Sequence, residues 1–245
     1  SISADSTNLL RTRFGLPPHT ARSYNRIARL IPSLYAIDPH VVPPVDDTNA
    51  VTTGYLFLDE AYTPPADLIR FLEAGDAPVY VGFGSMSSSD PMRTIHLIAE
   101  ALAKVGRRGV LARGWSGADH ITVPDHIYLL DKTSHTWLFP HMAAVVHHGG
   151  AGTTAAGLRA GKPTLIVPHM ADQPYWGRRI HELGVGVKPI PRHQLTLDTL
   201  TKRLKTLLTD SDIQTRAVAL GDQIRADDGV ANAVNWIQAF ISRLH

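Results

Sequence analysis

Apolar and polar positions divide the chain into two stretches of different character. From Pro78 onward, short apolar runs recur at intervals between amphipathic stretches. Val79 to Phe83, Val110 to Ala112, Ile127 to Leu130, Ala143 to Val146 and Thr164 to Val167 each read as a buried strand, and Gly184 to Lys188 as a short last one. Helical periodicity fills the intervals. It predicts a helix over 91–105, one from Ala155 to Ala160, and three more over 197–208, 212–227 and 230–243. Unbroken apolar runs alternating with helices indicate a parallel sheet covered on both faces. Six such strands predict an α/β fold with a Rossmann-like, doubly wound parallel sheet.

Residues 1–60 lack this rhythm. Thr7 to Gly15 predicts a short helix closed by Gly15, with Leu16-Pro17-Pro18 as its stop. Pro32, Pro39, Pro43 and Pro44 then punctuate an extended segment with little periodicity. This stretch has too few apolar residues for a core of its own. It reads as the tail of a further domain plus a linker, which sets the expected boundary between 1–60 and 61–245.

Composition removes several classes of function. The formal net charge is +2 over 245 residues, so no electrostatic case exists for a nucleic-acid binder. No apolar run reaches the length of a membrane span, and no signal peptide is apparent. The sequence holds 0 cysteines, which removes disulfides and thiolate metal sites and fits a cytoplasmic setting. The first residue is Ser1 rather than Met, the expected mark of a processed or truncated piece.

Candidate chemistry gathers at one place in the predicted fold. In doubly wound sheets ligands bind outside the carboxyl ends of the strands. Gly84-Ser85, Arg113-Gly114-Trp115, His148 to Thr154 and Asp172-Gln173 all fall there. The stretch His147-His148-Gly149-Gly150-Ala151-Gly152-Thr153-Thr154 is a strand-to-helix turn. A helix N-terminus offers unpaired N–H groups and a favourable dipole for an anion, and glycines let a ligand approach the backbone. With threonine hydroxyls and imidazoles added, this chemistry suits phosphate. Asp172 and Gln173 pair a carboxylate with an amide, which together accept from and donate to sugar hydroxyls. A phosphate site beside a hydroxyl-reading site points to a sugar nucleotide.

Each feature also has a plainer reading. Gly82-Phe83-Gly84-Ser85 can be a tight turn with Ser85 as a cap, and it lacks the third glycine of the dinucleotide fingerprint. His147 and His148 are adjacent at a strand end, so they face opposite sides and cannot easily chelate one ion. His147 is expected under the sheet and His148 toward the ligand. Trp137 and Phe139 read as packing residues of a helix start. Trp115, on a glycine-flanked loop, is a candidate for base stacking or for lining an acceptor. Asp172 can simply cap the next helix.

Val79 to Met86, Gly114-Trp115-Ser116-Gly117, His135 to Phe139, Val145 to Thr154, Arg159 to Thr164, Pro168 to Gln173 and Gly184-Val185-Gly186 together resemble the donor-binding half of family 1 glycosyltransferases of the GT-B fold. The sterol glucosyltransferase branch is the nearest match. Asn8 to Pro18, Pro32 to Tyr35 and Gly54-Tyr55 resemble the end of the acceptor-binding half and the crossover linker.

The resemblance implies specific roles. His148 would contact a diphosphate oxygen. Backbone amides around Gly150, Gly152 and Thr153, with the Thr153 hydroxyl, would hold the rest. Ser85 would lie near the phosphates, Asp172 and Gln173 would read the transferred sugar, and the loop at His135 would edge the base. Two positions depart from the common pattern. Lys132 stands where many relatives stack a Trp on uracil, and Ala156 where many hold the ribose with a Glu. UDP-glucose is the first expected donor and a thymidine-linked sugar the second. The family's catalytic base lies in the acceptor half, so no catalytic residue is assigned to this sequence. Neither cofactor nor metal is expected beyond the substrate UDP-sugar.

The expected function is therefore donor binding within an inverting glycosyltransferase acting on a lipophilic hydroxyl acceptor such as a sterol, macrolide or glycolipid. Its partners would be the nucleotide-sugar donor and an N-terminal acceptor domain missing from this sequence. Peripheral membrane contact of the full protein and self-association of the piece are also expected. Two rival readings are a non-catalytic donor-binding subunit of a split glycosyltransferase and a sugar-nucleotide epimerase. The epimerase needs several carboxylates at the reacting carbon, where this site offers Asp172 alone.

Overall fold

The structure is a computed structural model that describes residues 2–44, 46, 49–59, 61–83, 91–113, 122–131 and 133–243. The chain divides into two compact units, Ser1–Leu56 together with Asp228–His245, and Phe57–Asp227. The sequence places a boundary near residue 60 and leaves the path of the last helix open. By internal contacts that helix groups with the first residues of the chain.

The first unit opens with α1 (Ile2–Arg13) and α2 (Ala21–Leu30), followed by β1 (Ser33–Tyr35) and β2 (Ala50–Thr52). Gly15 takes φ +66°, the left-handed conformation expected just past a helix end. Asn8 ties the turn between the helices, donating to the His19 carbonyl at 3.0 Å and accepting from the His19 N–H at 2.7 Å. The sequence reading gave this region only a short helix over Thr7 to Gly15 and extended chain beyond it. The structure lengthens that helix, adds α2, and pairs β1 with β2 in parallel, Leu34 opposite Val51.

The second unit contains α3 (Ala66–Glu73), β3 (Val79–Gly82), α4 (Pro91–Lys104), β4 (Gly109–Ala112), β5 (Ile127–Leu130), α5 (His135–Leu138), β6 (Ala144–His147), α6 (Ala151–Arg159), β7 (Thr164–Ile166), α7 (Gln173–Glu182), α8 (Leu197–Thr209) and α9 (Ser211–Ala226). Its sheet is parallel throughout, with spatial order β5-β4-β3-β6-β7. This is the doubly wound arrangement expected from the sequence. The sixth strand expected at Gly184 to Lys188 is reduced to a single bridge between Thr164 and Gly186. Gly186 sits too close to the Thr164 carbonyl and the Ile180 side chain for any Cβ, and Pro189 follows within three residues, so no ladder develops. The three helices expected after it are present, the last being α10 (Gly229–Ser242), which returns to the first unit.

Period-two alternation sorts the strand residues onto two cores. Val79, Val81, Leu111, Ala144 and Val146 pack with Leu102 of α4 and Leu200, Leu204 and Leu207 of α8. Tyr80, Val110, Leu130 and Val145 pack on the other side with Leu68, Leu138, Phe139 and Ala156. Both faces of the sheet are covered, which explains why its strands read as unbroken apolar runs. Sequence reading missed α3. It is held by Arg108, which donates to the carbonyls of Leu72, Gly75 and Asp76 at 3.1, 2.7 and 2.6 Å and to that of Phe71. A cation at a helix C-terminus is favoured by the carbonyl charge there.

Candidate functional site

The strand order reverses between β3 and β6, so the carboxyl ends of these strands mark the place where such sheets bind ligands. Residues 84–90, with Ser85, lie outside the described residues, as do Trp115 and Lys132. The corner after β6 is fully described.

That corner is built from backbone. His147 ends β6, and Gly149 turns the chain at φ +94°. Gly150 is the N-cap of α6, extended at φ −62° and ψ 137°, with no side chain to bond the helix start. Thr154 is the first residue whose N–H finds a helical acceptor, the Gly150 carbonyl at 2.9 Å, and its hydroxyl bonds the same oxygen at 2.9 Å. Thr154 is thereby spent on the helix. Thr153 remains half-buried at the rim. A Cβ on Gly152 would meet nothing within 4 Å, so the first turn faces open space. A Cβ on Gly150 would lie 2.6 Å from His148 Nε2, so the glycine lets that imidazole lie across the backbone. Free N–H groups, a positive dipole end and a covering imidazole are chemistry suited to an anion.

The two histidines separate as strand alternation requires. His147 is 0 % exposed, and His148 is half-buried on the other side. Burial, followed by the proximity of His148 and His135, pushes His147 down to about 3. Burial also lowers His148, opposed by the Gly82 carbonyl and the Asp172 carboxylate. His135, at the start of α5, is lowered by burial and by His148. Its Nε2 lies 3.3 Å from the Tyr80 hydroxyl, and its ring stacks on Phe139 at 4.6 Å. All three imidazoles are therefore neutral at pH 7, as donors and acceptors rather than cations. Trp137 and Phe139 have the packing roles expected of them. Trp137 lies against Tyr62 and His141, and Phe139 is 0 % exposed.

The loop after β7 supplies the second half of the site. Ala171 is held at φ 54°, the one such non-glycine among the described residues. Left-handed backbone at alanine costs about 1–3 kcal/mol and persists only where the surroundings impose it. Here the imposing group is Gln173. It is buried, and its Oε1 accepts the N–H groups of His169 at 2.7 Å and Met170 at 3.0 Å. The Gln173 oxygen is thus engaged within the loop, which leaves its amide NH2 as the group able to meet a ligand. Asp172 is exposed and makes no capping bond to α7. Its Oδ2 instead accepts the Trp176 indole N–H at 2.8 Å.

Sequence reasoning missed two neighbours. Arg192 donates from Nη1 to His169 Nε2 at 3.0 Å, and the His169 ring lies 5.6 Å from Phe83. His169 stood inside a flagged loop and could have been named. Arg192 comes from a polar stretch with no local pattern to mark it. Among the described residues, no group of three or more His, Cys, Asp or Glu is placed to hold a metal ion. No helix among them is long and apolar enough to cross a membrane.

Comparison with known proteins bears out the resemblance. The chain is 45 % identical over 219 residues to a sterol 3-beta-glucosyltransferase of Arabidopsis thaliana, a match covering 87 % of this chain and 34 % of that protein. It is 40 % identical over 223 residues to a sterol 3-beta-glucosyltransferase of Emericella nidulans, covering 84 % of this chain and 16 % of that one. The chain thus spans about a third or less of these relatives. In structure it is similar to the glycotransferase of kitacinnamycin, with a TM-score of 0.70, 22 % identity, and coverage of 85 % of this chain and 54 % of that one. The glycosyltransferase VinC in complex with DTDP gives a TM-score of 0.68 at 23 % identity, covering 86 % and 52 %. These structures share the α/β fold that the sequence led us to expect. The profile of one family matches residues 97–239, more than half of the chain. By that match the protein belongs to the family of the erythromycin biosynthesis protein CIII-like C-terminal domain.

Proposed function

We propose that the chain is the donor-binding part of an inverting glycosyltransferase that moves a hexose from a nucleoside diphosphate sugar to a sterol-type hydroxyl. The observation that carries this reading is the start of α6, uncapped at Gly150, open at Gly152 and overlaid by His148. The names of the Arabidopsis and Emericella relatives support glucose as the sugar and a sterol as the acceptor. UDP is the first choice of carrier. In the longer protein, residues 1–60 would be the end of the acceptor half and the crossover, and the general base would come from that half.

Each described residue then has a task. The N–H groups of Ala151, Gly152 and Thr153 and the imidazole of His148 receive the charge that develops on the leaving diphosphate. Donors preorganised toward developing charge supply the largest share of such catalysis. They take the place that a bound metal ion has in other enzymes, so chelation with EDTA leaves donor binding unchanged. Asp172 accepts from sugar hydroxyls and the Gln173 amide donates to them, which orients the anomeric carbon for attack from the acceptor side.

Calorimetry with UDP tests the reading. A folded chain that gives no heat with UDP or UDP-glucose overturns it. His148→Ala is expected to weaken UDP binding by about 1.5–3 kcal/mol, as for a hydrogen bond to a charged group, with little change in melting temperature. An unchanged UDP affinity removes the role given to His148. Asp172→Asn is expected to lower the affinity for UDP-glucose and leave that for UDP alone. Equal losses for both ligands would contradict the assignment of Asp172 to the sugar.

A further inference from the structure

The corner holds a buried imidazole that the donor-site reading does not use. His147 is 0 % exposed at the end of β6. Its Nδ1 accepts the Gly149 N–H at 3.0 Å. The ring must therefore carry its proton on Nε2, and that N–H is buried without a partner among the described residues. A buried unsatisfied donor costs about 1–3 kcal/mol. Following Val145 and Val146, a third Val would fill this place without that cost. Packing alone does not explain the histidine, whereas its acceptor does.

That acceptor sits at the pivot of the site. Drawing the Gly149 N–H inward fixes the peptide between His148 and Gly149, just before the turn at Gly149, and so bears on the direction in which the helix start points. Gly149 also abuts α7. A Cβ there would lie 3.2 Å from both the Cβ and the carbonyl oxygen of Gln173, the residue whose Oε1 shapes the loop before Asp172. One hydrogen bond thus holds the diphosphate corner against the sugar loop.

We propose that His147 is a positioning residue for donor binding, acting through the Gly149 N–H rather than by touching the ligand. The proposal rests on the donor-site reading above. Two variants of the 245-residue chain test it, His147→Phe, which keeps a ring but loses the acceptor, and His147→Asn, whose Oδ1 can take the same N–H. UDP affinity is measured by calorimetry and exchange of the Gly149 amide hydrogen by NMR. The Phe variant is expected to bind UDP about tenfold more weakly, as for one lost hydrogen bond, and the Asn variant to stay within about threefold of the parent. Gly149 exchange should quicken in the Phe variant alone. Parental affinity in the Phe variant, or equal losses in both, would overturn the proposal. If the Phe variant does not fold, the Asn variant decides alone, and rapid Gly149 exchange with parental affinity there would also overturn it. If the parent chain binds no UDP, the donor-site reading fails. The exchange comparison then still decides whether His147 holds Gly149.

Discussion

Replacing Gly149 by alanine is expected to destabilise the fold by about 2–6 kcal/mol and to abolish measurable UDP binding. Two separate costs add. The residue sits at φ +94°, where an L side chain is strained by about 1–3 kcal/mol. The new methyl would also lie 2.8 Å from Ile166 Cγ2 and 3.2 Å from the Gln173 carbonyl. Ile166 is 0 % exposed within β7, and the Gln173 carbonyl is part of the first turn of α7. Neither can yield, and overpacking of this kind costs about 1–3 kcal/mol. Chemical denaturation and calorimetry measure the two effects together. Gly152→Ala provides the contrast. Its Cβ meets no protein atom within 4 Å, and alanine is the better helix former by about 1 kcal/mol. That variant should keep or gain stability and lose affinity only because the methyl stands where the phosphates would sit. A Gly149→Ala protein as stable as its parent would contradict the geometry of the corner.

Acidification from pH 7 to pH 5 is expected to destabilise the protein, with His147 alone contributing about 2 kcal/mol. Its ordinary value is 6.5 in the unfolded chain and about 3 in the folded one. Above 6.5 neither state binds the proton and nothing is lost. Below 6.5 the unfolded chain takes up a proton that the folded chain refuses, so stability falls steadily until about pH 3. His148, His135 and His169 are lowered as well and act in the same direction. Asp59 is also lowered, by its bond to Arg159, but it starts from 3.8 and bears only on the acid end of the range. The difference between the parent and His147→Asn, followed by urea denaturation at both pH values, isolates the buried imidazole. Equal pH dependence in the two proteins would show that His147 protonates freely in the folded state.

Legibility in the sequence followed the physics of each element. Val79 to Gly82 and Ala144 to His147 are buried on both faces, so their apolar runs stand out, and the parallel sheet with its helices was readable. The division of labour between His147 and His148 followed from strand alternation alone. By contrast, β1 and β2 are three residues each, the first exposed and the second half-buried, so they leave no pattern in this proline-punctuated stretch. The helix α2 is amphipathic, so its period was present in the sequence, but the prolines that flank it, Pro18 and Pro32, favour a reading as extended chain. At the site, residue types suggested which chemistry is present but not which atoms are free. That the Gln173 oxygen is already bonded, or that Arg192 reaches His169, depends on side chains brought together by the fold.

In the first unit, the Asn232 side chain donates to the Thr53 carbonyl at 3.0 Å, and Gly229 lies so near Gly54 that a methyl there would collide. The threads that precede and follow Phe57–Asp227 therefore run side by side. In engineering terms, those 171 residues form a cassette with adjoining ends. It is suited to transplantation into a host scaffold at a single surface loop, or to closure by a short synthetic tether.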